Sequence, residues 1–110
     1  MNITFANKKL KDWANNYALA QKKMGAERAK KYHQRLGDMR DIESFAFIDS
    51  LPGRFHQLTG DRNGQWACDL DHPYRLILEP ADDPLPRDEL GNLILKELRI
   101  VDIIEIVDYH

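Results

Sequence analysis

The chain has 110 residues and a single cysteine, Cys68, which excludes an internal disulfide framework and a multi-cysteine zinc site. No apolar run approaches the roughly 18–20 residues of a membrane helix, so no membrane partner is expected. The opening residues, MNITFANKKLK, lack the apolar stretch of a secretory signal. Together these features lead to the expectation of a cytoplasmic protein. Glycine-rich phosphate loops, Ser-His-Asp spacing and HExxH are absent. The 4 histidines are scattered at spacings that match no common metal site, so neither metal nor cofactor is expected. A strong charge of one sign is also missing, since the net charge is −2.

What is present is an ordinary apolar and charged balance, 43% and 31%, enough for one hydrophobic core and a single domain over residues 1–110. The charge is unevenly spread. Residues 1–55 carry 11 Lys+Arg and 6 Asp+Glu, and residues 56–110 carry 5 and 12. Glu79–Glu97 alone holds 6 acids against 2 bases. The chain therefore reads as a mildly basic body with an acidic insertion, weak support for nucleic-acid binding.

The chain is organised around Arg54–Pro80. Arg54–Leu58 reads as a short strand, and the glycine-, Asp- and Asn-rich Thr59–Gly64 as a turn. Gln65–Leu70 alternates, with Trp66, Cys68 and Leu70 on one face. After the turn Asp71-His72-Pro73, Tyr74–Glu79 is a third strand. Pro80 cannot extend a central ladder. Before this meander, Met1–Phe5 alternates as a strand would, and Asn7 is a plausible N-cap. Leu10, Trp13, Tyr17, Ala20 and Met24 then recur at spacings of three and four, predicting one amphipathic helix that ends at Gly25. A second helix carries Ala29, Tyr32, Leu36 and Met39 at the same spacing, completing a helical hairpin. Glu43–Leu51 predicts a turn of helix or a packed loop, and Pro80–Asn92 an acidic, proline-rich surface loop. Leu98–Tyr109, rich in Ile and Val, predicts a long interior strand buried on much of both faces. The expected fold is α+β, in the order β-α-α-β-β-β-β, with the N-terminal strand and helical hairpin packed on a mostly antiparallel sheet.

The polar groups this arrangement brings to the sheet are His56, Arg62, Trp66, Arg75 and the terminal Asp108-Tyr109-His110. The pattern PGR-x-H-x-L-x-GDR-x-GQ-x-x-x-DLD-x-PYRLI-x-EP, ending in EIVDYH, resembles the HigB-type toxins of the RelE/ParE toxin–antitoxin superfamily. The likeness covers nearly the whole chain. It implies a ribosome-dependent endoribonuclease that cuts mRNA. The implied partners are the ribosome and mRNA, a helix-turn-helix antitoxin of the HigA type and, only through that antitoxin, operator DNA.

Metal-free RNA cleavage needs a base for the 2′-OH, charge stabilisation at the phosphate and an acid for the 5′-oxygen. Imidazole suits the proton transfers and guanidinium forks suit the phosphate. The resemblance carries function onto Asp108, Tyr109 and His110. His110 is then assigned acid/base work. Tyr109 either stacks on a base or hydrogen-bonds phosphate, and Asp108 either orients a neighbour or accepts a proton. Arg75 is the expected phosphate contact, unless it only pairs with Glu79 or Asp69. His56 is a second acid/base candidate. Arg62 is expected to touch phosphate or ribosomal RNA, and Trp66 is either a base-stacking platform or core. Two features depart from the family pattern: Asn63, where many relatives have Lys after GDR, and the long acidic segment. Two rivals follow, a ParE-like gyrase-targeting toxin and a catalytically inactive member that only binds its antitoxin.

Overall fold

The computed structural model of the chain describes residues 1–109. Strand β1 (Asn2–Phe5) leads to Asn7, whose side chain accepts the Leu10 N–H at 3.0 Å and so starts helix α1 (Lys8–Asn15). The single helix expected from Lys8 to Met24 is in fact two. Asn16 adopts φ −138° and ψ 97°, outside the helical region. Its N–H closes α1 on the Asp12 carbonyl, and its side chain accepts the Leu19 N–H to open α2 (Tyr17–Met24). A short amide that can bond its own neighbouring backbone competes with the helix ladder, and here it ends one helix and begins another. The apolar stripe breaks with it: Leu10 and Ala20 are buried, but Tyr17 is 41% exposed.

Gly25, at φ +89°, separates α2 from α3 (Ala26–Asp41). Helix α3 buries Ala29, Tyr32, Leu36 and Met39, the expected stripe. The Tyr32 hydroxyl donates to the Leu10 carbonyl at 2.8 Å, pinning α3 to α1, and burial pushes this phenol well above its ordinary pKa. A 3-10 turn over Phe45–Ser50 follows, capped by Ser44 and burying Phe45 and Ile48.

The remaining strands are β2 (His56–Gln57), β3 (Trp66–Asp69), β4 (Tyr74–Pro80) and β5 (Ile100–Asp108). They form one five-stranded sheet in the order β1-β5-β4-β3-β2. Only the β1–β5 pair is parallel. The fold is thus α+β, with helices packed on one face of a mostly antiparallel sheet. The core between the layers joins Leu10, Tyr32, Leu36 and Met39 to Trp66, Cys68, Leu76, Leu78, Val101 and Ile103. Each fully buried aliphatic side chain of this kind contributes roughly 1.5–3 kcal/mol.

Three strand expectations need correction. Strand β2 is two residues long, not five, because Arg54 holds φ +53°, a left-handed conformation no strand accommodates. Pro80 does pair, opposite Val101. It is tolerated because the β3 ladder ends earlier, where Trp66 faces Leu78. Strand β5 is interior, between β1 and β4, but is not buried on both faces. A bulge lets Ile77 pair with Glu105 while Leu78 pairs with Ile103, leaving Ile104 as the extra residue. Val101, Ile103 and Ile106 all point to the core as a result, while Asp102 and Glu105 stay partly exposed.

The acidic loop is built into this frame. Asp82 accepts the N–H groups of Arg99 and Ile100 at 3.0 and 2.9 Å, so it anchors the start of β5. Asp88 accepts Leu90 and Asn92 N–H groups within its own turn. Leu85, Leu93 and Leu95 pack on the core. No helix among the described residues is long and apolar enough to cross a membrane.

Candidate functional site

The face of the sheet away from the helices carries the polar groups. Alternation along β3 and β4 puts Ala67 and Asp69, then Arg75, Ile77 and Glu79, on that side, opposite Cys68, Leu76 and Leu78. Asp69 and Arg75 are cross-strand partners. Arg54, entering from the loop before β2, reaches the same carboxylate. Its Nε lies 2.6 Å from Asp69 Oδ2 and its Nη2 3.1 Å from Oδ1. Arg75 Nε stands 3.5 Å from Oδ1. One carboxylate therefore holds two guanidinium groups.

The backbone of Asp69 is itself fixed on both sides. Its N–H donates to the Gly53 carbonyl at 2.7 Å, and its carbonyl accepts Arg35 Nε at 2.8 Å from α3. The Arg35 side chain is buried. Hydrogen bonds from Arg54 hold the Asp69 carboxyl below the usual carboxylate range. Partial burial opposes this, and the charges of Arg54, Arg75 and His56 reinforce it. The Arg54 guanidinium is correspondingly shifted up by Asp69.

Tyr109 closes the other side of the cluster. Its N–H donates to the Pro73 carbonyl at 3.1 Å, so the chain stays beside the β3–β4 turn after β5 ends. The Arg75 guanidinium carbon lies 4.6 Å from the centre of the Tyr109 ring, a cation–π contact. The ring remains 42% exposed. Arg54, Asp69, His72, Arg75 and Tyr109 line a cleft of about 90 Å³. The turn under it is secured from the helical side. Arg28 of α3 makes a two-pronged ion pair with Asp71, at 2.9 and 3.1 Å, and stacks on Tyr74 at 3.3 Å.

The other expected residues are distributed as follows. His56 sits on β2 opposite Ala67, with Nδ1 2.7 Å from the Arg54 carbonyl. A carbonyl only accepts, so Nδ1 carries the proton and Nε2 is the basic atom. Arg62, in the 3-10 turn Gly60–Arg62, reaches back across β4. It donates to Gln65 Oε1 at 3.0 Å and to Glu105 Oε1 at 2.5 Å. It is thus anchored over the sheet rather than projecting from the turn. Trp66 is 4% exposed and packs edge-on against Phe45 at 5.2 Å. Its ring is core, so the base-stacking expectation is withdrawn. Asp108 ends β5 opposite Tyr74, on the other face from Arg75 and Tyr109. His110 lies outside the described residues.

Arg54 and Asp69 were missed as site residues. The visible signal was the Pro-Gly-Arg triplet ahead of a strand, together with an acid alternating with Trp66 and Cys68. What the sequence did not supply was the register that sets Asp69 against Arg75. Among the described residues, no group of three or more His, Cys, Asp or Glu is placed to hold a metal ion.

Helices packed on one face of a five-stranded, mostly antiparallel sheet match the fold of the RelE/ParE-like toxins. Solved structures share it along essentially their whole length. The YoeB–YefM complex from Staphylococcus aureus matches with a TM-score of 0.58 and 16% identity, over 100% of this chain and 97% of that one. A YoeB/ParE toxin from Agrobacterium tumefaciens matches with a TM-score of 0.61 and 11% identity, over 100% of both chains. A heterotetrameric YoeB–YefM toxin–antitoxin complex from Staphylococcus aureus matches at 0.51 and 18%, over 100% and 97%. No protein-family model and no curated relative matches the chain.

Proposed function

We propose that the chain is the toxin of a type II toxin–antitoxin pair, a HigB-type endoribonuclease that cuts mRNA on the ribosome without a metal ion. The observation that carries the reading is the convergence of Arg75 and Tyr109 on the helix-free face, at the chain end that bears Asp108-Tyr109-His110. Guanidinium is suited to the charge of a pentavalent phosphate, and the exposed phenol ring to a nucleobase. His110 and His56 are the acid/base pair: one takes the 2′-OH proton as that oxygen attacks phosphorus, and the other protonates the departing 5′-oxygen. Nε2 of His56 is the free basic atom for the first role. Asp108, one residue from Tyr109, orients the end of the chain.

The antitoxin is assigned to the opposite side. There a groove of about 340 Å³ is floored by Leu10, Trp13, Met24 and Ile106, with Lys9 and Lys23 beside it, Arg28 already paired to Asp71, and Glu105 also in its lining. It suits an amphipathic segment whose acids meet the two lysines. The protein acts in the cytoplasm, where translated mRNA is found, and reaches operator DNA only through the antitoxin. A gyrase-directed toxin is the second reading. It is favoured by Arg62, which spends its charge on Glu105 and leaves that face less basic.

Induction of the wild type, Arg75→Ala and His110→Ala in bacteria, followed by mapping of mRNA 5′ ends, tests the proposal. In-frame cuts in translated mRNA are expected for the wild type, falling by roughly a hundredfold in both variants. Growth arrest without new ends, accompanied by a DNA-damage response, would replace the nuclease with the gyrase reading. Cutting by His110→Ala at the wild-type rate would remove His110 from the pair and leave His56 as its one acid/base group.

A further inference from the structure

We infer that Arg54 and Arg75 form a two-guanidinium clamp for one phosphodiester of the RNA, with Asp69 as the residue that positions both. The inference rests on the RNA ligand of the preceding section and adds a second phosphate contact and its support. A carboxylate beside a phosphate site is at first sight unfavourable, because like charges repel. The contacts give it a different role. Each guanidinium has five N–H donors. Asp69 takes Nε and one Nη2 donor of Arg54 and approaches Nε of Arg75. It therefore grips Arg54 through Nε and Nη2, draws Arg75 by its Nε, and leaves each guanidinium with Nη donors that Asp69 does not use, the donors that bind phosphate end-on. Two guanidinium charges against one carboxylate leave the cluster positive, with His56 nearby.

Two further observations support a built site. Asp69 is held by its own backbone, through Gly53 on one side and buried Arg35 on the other, so the arginines are referred to a rigid point. Arg54 is also the only non-glycine residue at positive φ among the described residues. A left-handed backbone is costly for any residue that carries a Cβ. Glycine would relieve that cost, yet an arginine stands there with its side chain delivered to Asp69. Backbone strain retained where it aims a charged group is a mark of function rather than of stability.

The test uses a fluorescent 2′-O-methyl hexaribonucleotide, which lacks the attacking hydroxyl, with binding measured by anisotropy across a salt series. The proteins are the wild type, Arg54→Gly and Asp69→Asn, each checked for an intact melting transition. Arg54→Gly folds without strain at this φ. It is expected to bind about tenfold more weakly and to lower the slope of log affinity against log salt by about 0.7, the loss of one phosphate contact on a single strand. Asp69→Asn is expected to weaken binding about fivefold, the worth of one arginine no longer held in place, even though it removes a negative charge. Tighter binding by Asp69→Asn would show a carboxylate that merely repels RNA and would overturn the inference. So would wild-type affinity in Arg54→Gly, or no binding by the wild type. Because the probe cannot be cut, binding of the expected kind in a chain that cleaves no mRNA keeps the clamp and rejects the nuclease. Cleavage with an indifferent Arg54 does the reverse.

Discussion

At the scale of the residue, Asp69 concentrates most of what the helix-free face can do. Its pKa is depressed in the fold, chiefly by hydrogen bonds from Arg54. A depressed carboxyl contributes stability that is present above its unfolded pKa and lost as pH falls through the folded value. The contribution is thus present at neutrality, begins to decline near the ordinary carboxylate value of about 4, and is lost only as pH falls through the lower folded value. Asp69→Asn should be less stable than the wild type to urea at about pH 6, and the gap should shrink progressively as pH falls below about 4 and the wild-type carboxyl takes up its proton in the fold. A gap of constant size across that range would mean that shape rather than charge is what Asp69 supplies. Cys68, next to it in sequence, shows the opposite environment: fully buried, its thiol is pushed far up and is inert as a nucleophile.

At the scale of the element, the decisive piece is the turn that launches β2. Gly53 has φ +108°, and a Cβ built there would overlap the Arg35 guanidinium. Gly53→Ala should therefore cost at least about 1–2 kcal/mol from backbone strain alone, with the displacement of Arg35 added to it. Since Gly53 and Arg35 are the two supports of Asp69, the substitution should also weaken RNA binding, through no contact of its own. Chemical denaturation and the anisotropy assay check the two effects together. An unchanged midpoint would contradict the close packing of the turn. The same turn marks where the sequence was legible and where it was not. Proline-glycine announced a break, and the alternation of Trp66, Cys68 and Leu70 announced a strand with its core face. Two consecutive left-handed residues, however, leave no trace in hydrophobic period, so Arg54 read as strand. Asn16 was unreadable for a similar reason. Apolar residues continue at helical spacing on both sides of it, and only backbone geometry shows the ladder breaking there. In β5 the Ile and Val run concealed a bulge, because an extra residue in an unbroken apolar stretch does not disturb the pattern. The polar residues were legible as types, but their grouping needed the β3–β4 register and the path of Tyr109 past Pro73.

At the scale of the whole molecule, the sheet thins toward the site. From β5 with nine residues and β4 with seven, the ladder falls to four in β3 and two in β2. The central strands carry Leu76, Ile77, Leu78, Val101 and Ile103, all fully buried, while the β2 edge is extended only by the Leu58–Gln65 and Asp69–Gly53 backbone bonds. Local opening follows such gradients of burial and pairing. Amide hydrogen exchange should therefore be slowest at Leu76–Leu78 and at Val101 and Ile103, where opening requires global unfolding. It should be orders of magnitude faster at Gln57 and through Gly60–Gly64. This arrangement sets Asp69 and Arg75 on the strands nearest the stable centre and Arg54 and His56 on the compliant edge. An RNA phosphate drawing Arg54 toward Arg75 would then tighten the edge against the centre. Adding the uncleavable hexaribonucleotide should slow exchange at His56 and Gln57 by several-fold and leave Ile77 unchanged, because only the edge has protection left to gain. Equal protection of β2 and β4 before RNA is added would remove the gradient on which this rests. Slowing at the centre alone would place the ligand elsewhere on the molecule.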